Sequence, residues 1–256
     1  MDYLNLILLG FIQGITEFLP VSSSGHLVLA QLWLGIDSPG TIIEVILHLG
    51  TLTAILIFYK KDILDLLKNL FQLDRSSIMF STFILIGIIP AVFVGIIFKD
   101  YFESFFDDAF YTSLFLVFTG LILFSSKFME HKRNTFSIMS VFMVGLIQVF
   151  SIFPGVSRSG MTITTAIFFG INREDAVKFS FFLAIPIILG ASILEIPQIT
   201  KLENSQIIPL FVGFIVSAGS GFYALKLLYK IVINNKFWLF SFYCFSIGTL
   251  GMFYAR

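Results

Sequence analysis

An all-α integral membrane protein, built as an inverted-topology repeat of six full transmembrane helices plus two re-entrant helical hairpins, is the fold class that three features predict. Hydrophobic residues make up 57% of the 256 and charged residues 12%, with a mean hydropathy of +0.95; a soluble domain is about half apolar and about a quarter charged. The apolar runs are long and continuous rather than alternating, which selects spanning helices over a barrel. A short polar sentence also occurs twice: QGITEFLPVSSSGH at 13–26 and QVFSIFPGVSRSGMT at 148–162. Sliding one copy by 135 places brings Gln13 onto Gln148, Phe18 onto Phe153, Val21 onto Val156, Ser22 onto Ser157, Ser24 onto Ser159 and Gly25 onto Gly160. Glycine-broken segments at corresponding places in two halves mark a site at the repeat interface.

The elements follow in order. Six stretches, about 41–59, 78–98, 109–126, 176–197, 206–228 and 237–255, approach the ~20 residues that a span needs. Two others, about 3–35 and 138–171, are interrupted midway by SSSG and SRSG, so each reads as two half-helices that enter and leave on one side. The chain is then one membrane domain, 1–256, with a first repeat at 1–126 and a second at 127–256. Loops 60–77, 127–136, 172–178 and 229–236 carry Lys60, Lys61, Lys68, Arg75, Lys127, Lys132, Arg133, Arg173, Lys178, Lys230 and Lys236. The opposite set holds only Lys99, Lys201 and Arg256, and loop 99–108 is acidic. The excess of positive charge places the first set in the cytoplasm. The first hairpin then dips in from outside and the second from the cytoplasm. The N-terminus lacks a basic region and a small-residue cleavage site, so no removable signal peptide is expected. Sixteen basic residues balance sixteen acidic ones, so nothing in the charge points to nucleic acid as a partner.

Most charged residues fall in loops or at span ends. Lys226 snorkels near the inner end of its span, and Glu44 and Glu195 lie near outer ends. Glu17 and Arg158 are the deepest ionisable groups, joined by His26 and His48. An ionisable side chain inside the bilayer is costly and marks a functional site by default. A structural ion pair tying the hairpins together explains Glu17 and Arg158, but leaves the serines and His26 without a role. His48, alone in an apolar helix, reads as a packing residue. His26 stands beside Ser23, Ser24 and Gly25, faces the cavity, and is able to shuttle a proton near neutral pH. Cys244, the one cysteine, excludes an internal disulfide and reads as core packing.

Ser22, Ser23 and Ser24 follow Pro20 and precede an apolar helical run, so one of them is an N-cap. Capping takes one hydroxyl, and here there are three. Gly25 permits close approach of a backbone or ligand. A half-helix that starts there directs free N–H groups and a positive dipole end at the break, which suits an anion. Ser157, Ser159 and Gly160 repeat the device, and Arg158 adds a planar fork that matches phosphate oxygens. Thr162 offers a further contact. Two opposed helix N-termini and an arginine describe a phosphate pocket.

QGITEFLPVSSSGH with a later PGVSRSG strongly resembles the undecaprenyl-diphosphatase family, also called bacitracin resistance proteins, over essentially the whole chain. The resemblance implies hydrolysis of undecaprenyl diphosphate to undecaprenyl phosphate and inorganic phosphate in the bacterial cytoplasmic membrane. This recycles the lipid carrier of cell-wall synthesis at a site facing outward. It implies Ser23 as nucleophile, His26 as general base and later acid, and Arg158 as a phosphate ligand. Glu17 then orients His26 or binds a divalent cation, Mg2+ or Ca2+. A rival scheme makes His26 the nucleophile. The family's (E/Q)-x-x-x-E pattern is matched by Gln13 and Glu17, and many members have Glu first. Gln13 keeps a hydrogen-bonding group but removes one negative charge from a metal site built on two carboxylates. Two other classes use the same residues: a lipid-phosphate transporter or flippase, and a non-catalytic assembly protein. The partners expected are undecaprenyl diphosphate and membrane lipid. A homodimer is compatible with the small-residue faces at Gly213, Gly219 and Gly221.

Overall fold

The computed structural model describes residues 3–34, 41–129, 135–195 and 204–255, and every regular element among them is a helix, apart from an isolated bridge at Ile171. The first hairpin is α1 (Tyr3–Phe18) and α2 (Ser23–Leu34). It is followed by α3 (Thr41–Phe58), α4 (Lys60–Phe71), α5 (Arg75–Ile97), α6 (Lys99–Glu103) and α7 (Ala109–Ser125). The second hairpin is α8 (Ile138–Gln148) and α9 (Arg158–Phe168). The chain then forms α10 (Arg173–Leu194), α11 (Asn204–Ile233) and α12 (Phe240–Tyr254). α5, α10 and α11, and α7 and α12 together with their adjoining 3-10 turns, are long and apolar enough to cross a membrane, and the pair α3–α4, bent by 74°, counts as a sixth if it is one broken span. The protein is a multi-pass membrane protein.

Local chemistry explains where the boundaries depart from expectation. The stretch 60–77, expected as a loop, contains α4, because Ile63, Leu66, Leu67 and Leu70 recur at helical spacing beside Lys61, Asp65 and Lys68. None of its residues is buried, and Leu64, Leu67 and Phe71 stay exposed, the composition of a helix lying in the headgroup plane. Asp74 then caps α5 by accepting from the Ser77 amide at 2.8 Å. α10 begins three residues ahead of its expected start, because Asn172 accepts from the Asp175 amide at 2.9 Å. α11 runs on to Ile233, past the expected end at 228. The acidic loop 99–108 holds the short helix α6. Lys132, Arg133, Lys201 and Arg256 of the charge count lie outside the described residues.

Packing interleaves the two halves. α1 lies along α11 and α8 lies along α5, so the first arm of each hairpin rests on the other half. Glycine sets both crossings. A Cβ on Gly10 would stand 2.6 Å from the Gly213 carbonyl oxygen, and one on Gly145 would stand 2.4 Å from that of Gly87. α7 pairs with α12 through Gly248, whose Cβ would fall 2.7 Å from the Ser113 carbonyl oxygen. The buried core is aromatic: Phe18 meets Phe181 edge-on with centroids 5.4 Å apart, and Tyr59 meets Phe182 at 5.7 Å. Exposed Phe93, Ile96, Phe211 and Phe253 face outward, as expected of a surface in contact with hydrocarbon.

Gly145→Ala forces α8 off α5 and lowers thermal stability in detergent by about 1–3 kcal/mol, the cost of overpacking a close crossing. Gly190→Ala, where a Cβ meets nothing within 4 Å, leaves the melting temperature unchanged in the same assay.

Candidate functional site

The site forms where the two broken helices meet. α1 carries Glu17 on its last turn and Gln13 one turn earlier, and the chain then leaves the helix through Pro20. Ser22 takes a left-handed φ of 67° and caps α2, its hydroxyl accepting from the Gly25 amide at 3.3 Å. In the second hairpin α8 tightens into a 3-10 turn, Val149–Ile152. Gly155, at φ 95°, reverses the chain, and the Ser157 hydroxyl caps α9 by accepting from the Gly160 amide at 3.1 Å. The breaks touch each other. The Gly155 amide donates to the Ser22 hydroxyl at 3.1 Å, and a Cβ on Gly25 would stand 2.9 Å from the Gly155 Cα. Thr119 of α7 clamps the second break, donating to the Gly155 carbonyl at 2.8 Å and accepting from the Ser157 amide at 3.1 Å.

Glu17 stands at the centre with its side chain 5% exposed. Its Oε1 receives Arg158 Nη2, an ion pair that joins the hairpins. Its Oε2 accepts from the Ser23 hydroxyl at 2.6 Å and from Gln13 Nε2 at 3.1 Å. His48 Nε2 of α3 lies 3.5 Å from the same oxygen. His48 Nδ1 donates to the Glu44 carbonyl at 2.7 Å, which fixes the ring. Two buried polar atoms of the cluster have no partner among the described residues: Arg158 Nη1, a donor, and Gln13 Oε1, an acceptor. A buried, unpaired polar atom is costly unless something binds it. The cluster thus offers a nucleophilic hydroxyl bonded to a carboxylate, a guanidinium with a free N–H, and two helix N-termini, which together suit an anionic ester or anhydride.

The sequence-predicted residues divide into three groups. Gln13, Glu17, Ser23 and Arg158 converge. Ser22, Ser24, Gly25, Ser157, Ser159 and Gly160 form the capping layer next to them, with Ser22–Ser24 and Ser157–Ser159 hydroxyls each 3.3 Å apart. Thr162 is turned elsewhere, donating to the Arg158 carbonyl at 2.9 Å and lying 2.6 Å from the Ser180 hydroxyl. His26 is not brought to Glu17. Its Nδ1 donates to the Ser22 carbonyl at 2.8 Å, and its Nε2 lies 2.8 Å from the Tyr243 hydroxyl, the two rings stacked at 5.5 Å. Sequence reasoning treated His48 as packing and passed over Tyr243 and Thr119. The available signal for His48 was its partner one turn on: Thr51 donates to the His48 carbonyl at 2.8 Å, and both are polar on one stripe of an apolar helix. Cys244 is buried as expected, with Sγ 3.7 Å from the Pro20 carbonyl.

A cavity of about 1270 Å³ lies elsewhere, among Asp62, Asn69, Arg173, Glu174 and Lys178 at the loop ends of α4, α5 and α10. It contains none of the converging residues, so the site is identified by the buried polar cluster and not by cavity size.

The family model described as "Bacitracin resistance protein BacA" matches residues 6–250. An undecaprenyl-diphosphatase of Methanococcus vannielii is 39% identical over 251 residues, covering 97% of this chain and 98% of the relative. One of Thermosipho africanus is 40% identical over 252 residues, covering 98% and 99%. One of Halothermothrix orenii is 36% identical over 255 residues, covering 98% and 97%.

Arg158→Met strands the buried Glu17 carboxylate and lowers stability by about 3–5 kcal/mol. Adding Glu17→Gln removes the stranded charge, so the double variant melts above Arg158→Met, and a double-mutant cycle read by thermal denaturation reports coupling of at least about 1 kcal/mol.

Proposed function

The chain belongs to the bacitracin resistance protein family, and we infer that it hydrolyses undecaprenyl diphosphate to undecaprenyl phosphate and inorganic phosphate. The observation that carries this reading is the Ser23–Glu17–Arg158 cluster, in which a hydroxyl, its proton acceptor and a guanidinium converge in a chain whose relatives are named undecaprenyl-diphosphatases.

The geometry supports a two-step reaction. Ser23 Oγ attacks the terminal phosphorus of the diphosphate while its proton passes to Glu17 Oε2, 2.6 Å away. The bond from that phosphorus to the bridging oxygen breaks, and undecaprenyl phosphate leaves. Water then attacks the phosphoserine, inorganic phosphate departs, and Ser23 regains its proton. Arg158 Nη1 and the N-terminal amides of α2 and α9 hold the equatorial oxygens and stabilise the charge that develops on them. The family resemblance, rather than the ring's position on Tyr243, assigns His26 the acid–base role in the second step, and that role requires the ring to leave Tyr243. The rival in which His26 is phosphorylated is told apart by mapping the trapped phosphoenzyme.

A divalent cation, Mg2+ or Ca2+, fits the donors present. Gln13 Oε1 is a buried oxygen beside Glu17 with no partner among the described residues, and hard cations take oxygen ligands. Gln13 and Glu17 would hold it together with diphosphate oxygens, and it would neutralise phosphate charge.

The arrangement in the membrane is part of the same reading: six spans and two re-entrant hairpins in inverted repeats, in the cytoplasmic membrane, with the site open to the outside where spent carrier diphosphate appears. Supporting it are the repeated order of hairpin and following helices, the reciprocal crossings at Gly10–Gly213 and Gly145–Gly87, and the loop charges. Recycling the carrier for cell-wall synthesis would also confer bacitracin resistance. A flippase would use the same pocket without needing Ser23.

Purified protein in detergent releases phosphate from undecaprenyl diphosphate, and chelator abolishes release. Ser23→Ala, His26→Ala and Arg158→Ala each lower kcat/KM by about 10²–10⁴-fold. Release that survives Ser23→Ala undiminished removes Ser23 as nucleophile; no release from folded wild type, with lipid transport in vesicles, selects the flippase.

A further inference from the structure

Hydroxyls along these helices commonly turn back on their own backbone. Thr16, Thr53, Thr82 and Ser113 each donate to the carbonyl four residues earlier. Thr119 of α7 does not. Its hydroxyl crosses to the break before α9, donating to the Gly155 carbonyl and accepting from the Ser157 amide, 36 and 38 residues away. Those bonds use its proton and a lone pair, and the residue is 1% exposed, so it is not placed to meet a ligand itself. Gly155 is pressed onto the same helix, where a Cβ would stand 2.2 Å from the Thr112 carbonyl oxygen. Arg158, the first residue of α9, follows directly on Ser157. The other repeat offers a comparison. The shift that aligns the two motifs puts Pro20 on Gly155, and the Pro20 carbonyl accepts from the Cys244 thiol of α12 with Sγ at 3.7 Å. Each break is thus held by the last helix of the opposite half. A thiol is a weak donor, so the break that leads to Arg158 has the stronger clamp.

We propose that Thr119 is a positioning residue of the reaction, holding the start of α9 so that Arg158 meets Glu17 and the terminal phosphate together. This rests on the reading that the diphosphate occupies the Glu17–Arg158 cluster. The guanidinium has to satisfy a carboxylate through Nη2 and a phosphate oxygen through Nη1, which requires a defined direction of approach. The backbone at Ser157 and Arg158 sets that direction. Glycine at φ 95° leaves the turn free to swing, and Thr119 removes the freedom by bonding both sides of it. Without the hydroxyl, the buried Gly155 carbonyl and Ser157 amide lose this partner, and the turn relaxes toward other contacts.

The test compares wild type, Thr119→Ser, Thr119→Cys and Thr119→Val in detergent, below the melting temperature of each. kcat and KM on undecaprenyl diphosphate are measured for each variant alone and in the Arg158→Ala background. Val keeps the shape of Thr and loses both bonds, Ser keeps both, and Cys substitutes the weak donor of the other repeat. Thr119→Val lowers kcat/KM by about 10–100-fold, the cost of a misplaced binding group, while Thr119→Ser stays within about threefold of wild type and Thr119→Cys falls between. In Arg158→Ala, Thr119→Val costs no more than about threefold further, because its effect runs through the arginine. By the same route, the Glu17–Arg158 coupling read by thermal denaturation falls to about half its wild-type value or less in Thr119→Val. A kcat/KM that is unchanged in folded Thr119→Val, that drops as far in the Arg158→Ala background, or that Thr119→Ser does not retain overturns the assignment. Should Thr119→Val not fold, Thr119→Cys takes its place in the kinetics and the cycle: a kcat/KM about fivefold or more below that of Thr119→Ser supports the assignment, and equal values overturn it. Wild type that releases no phosphate refutes the phosphatase, and the Glu17–Arg158 cycle still judges Thr119.

Discussion

The buried carboxylate of Glu17 is the constraint around which the molecule is organised. An ionised group in a low-dielectric interior is tolerated only when donors surround it. Here they come from four elements: Gln13 from the same helix, Ser23 from α2, Arg158 from α9 and His48 from α3. No two neighbouring helices supply the whole set, so the charge is satisfied only when both hairpins and α3 are in register. A reactive cluster and a structural keystone are thus the same atoms. The ion pair that reads as a mere tie between the hairpins is also the means of aligning a hydroxyl with its proton acceptor.

Backbone contact makes that convergence achievable. The two breaks approach until Gly25 and Gly155 meet, and the Ser22 hydroxyl serves both, accepting from the Gly25 and Gly155 amides. Side chains at either glycine would hold the helix N-termini apart and dilute their combined field on an anion. The doubled motif is therefore two halves of one cradle, specialised differently. Gln13 finds Glu17 four residues on, whereas Gln148 has Ile152 there, and neither amide atom of Gln148 has a partner among the described residues. Symmetry positions the backbone, and its departures from symmetry place the chemistry in one copy.

The two histidines show where one-dimensional reasoning stops. His26 adjoins the serines in sequence, but a residue three positions along a helix from Ser23 need not point the same way, and its ring stacks on Tyr243 of α12. His48 is distant in sequence and faces Glu17, because α3 packs against α1. Thr162 likewise belongs to the motif and points to Ser180 on α10. Proximity in a motif predicts which backbone is shared. Which atoms meet depends on helix rotation and on the element packed opposite.

Composition, run length and the doubled sentence were enough to read an all-helical membrane protein, the breaks in both hairpins, their serine caps, and the pairing of Glu17 with Arg158. These are legible because they are local: hydropathy sets span length, and capping needs only residues three apart. Tertiary structure alone decided that α1 rests on α11 and α8 on α5, that α4 is a surface helix, and that His48, rather than His26, faces the central carboxylate. Those outcomes depend on the close approach of glycine faces far apart in the chain and on the requirement that a buried charge find its donors wherever the fold brings them.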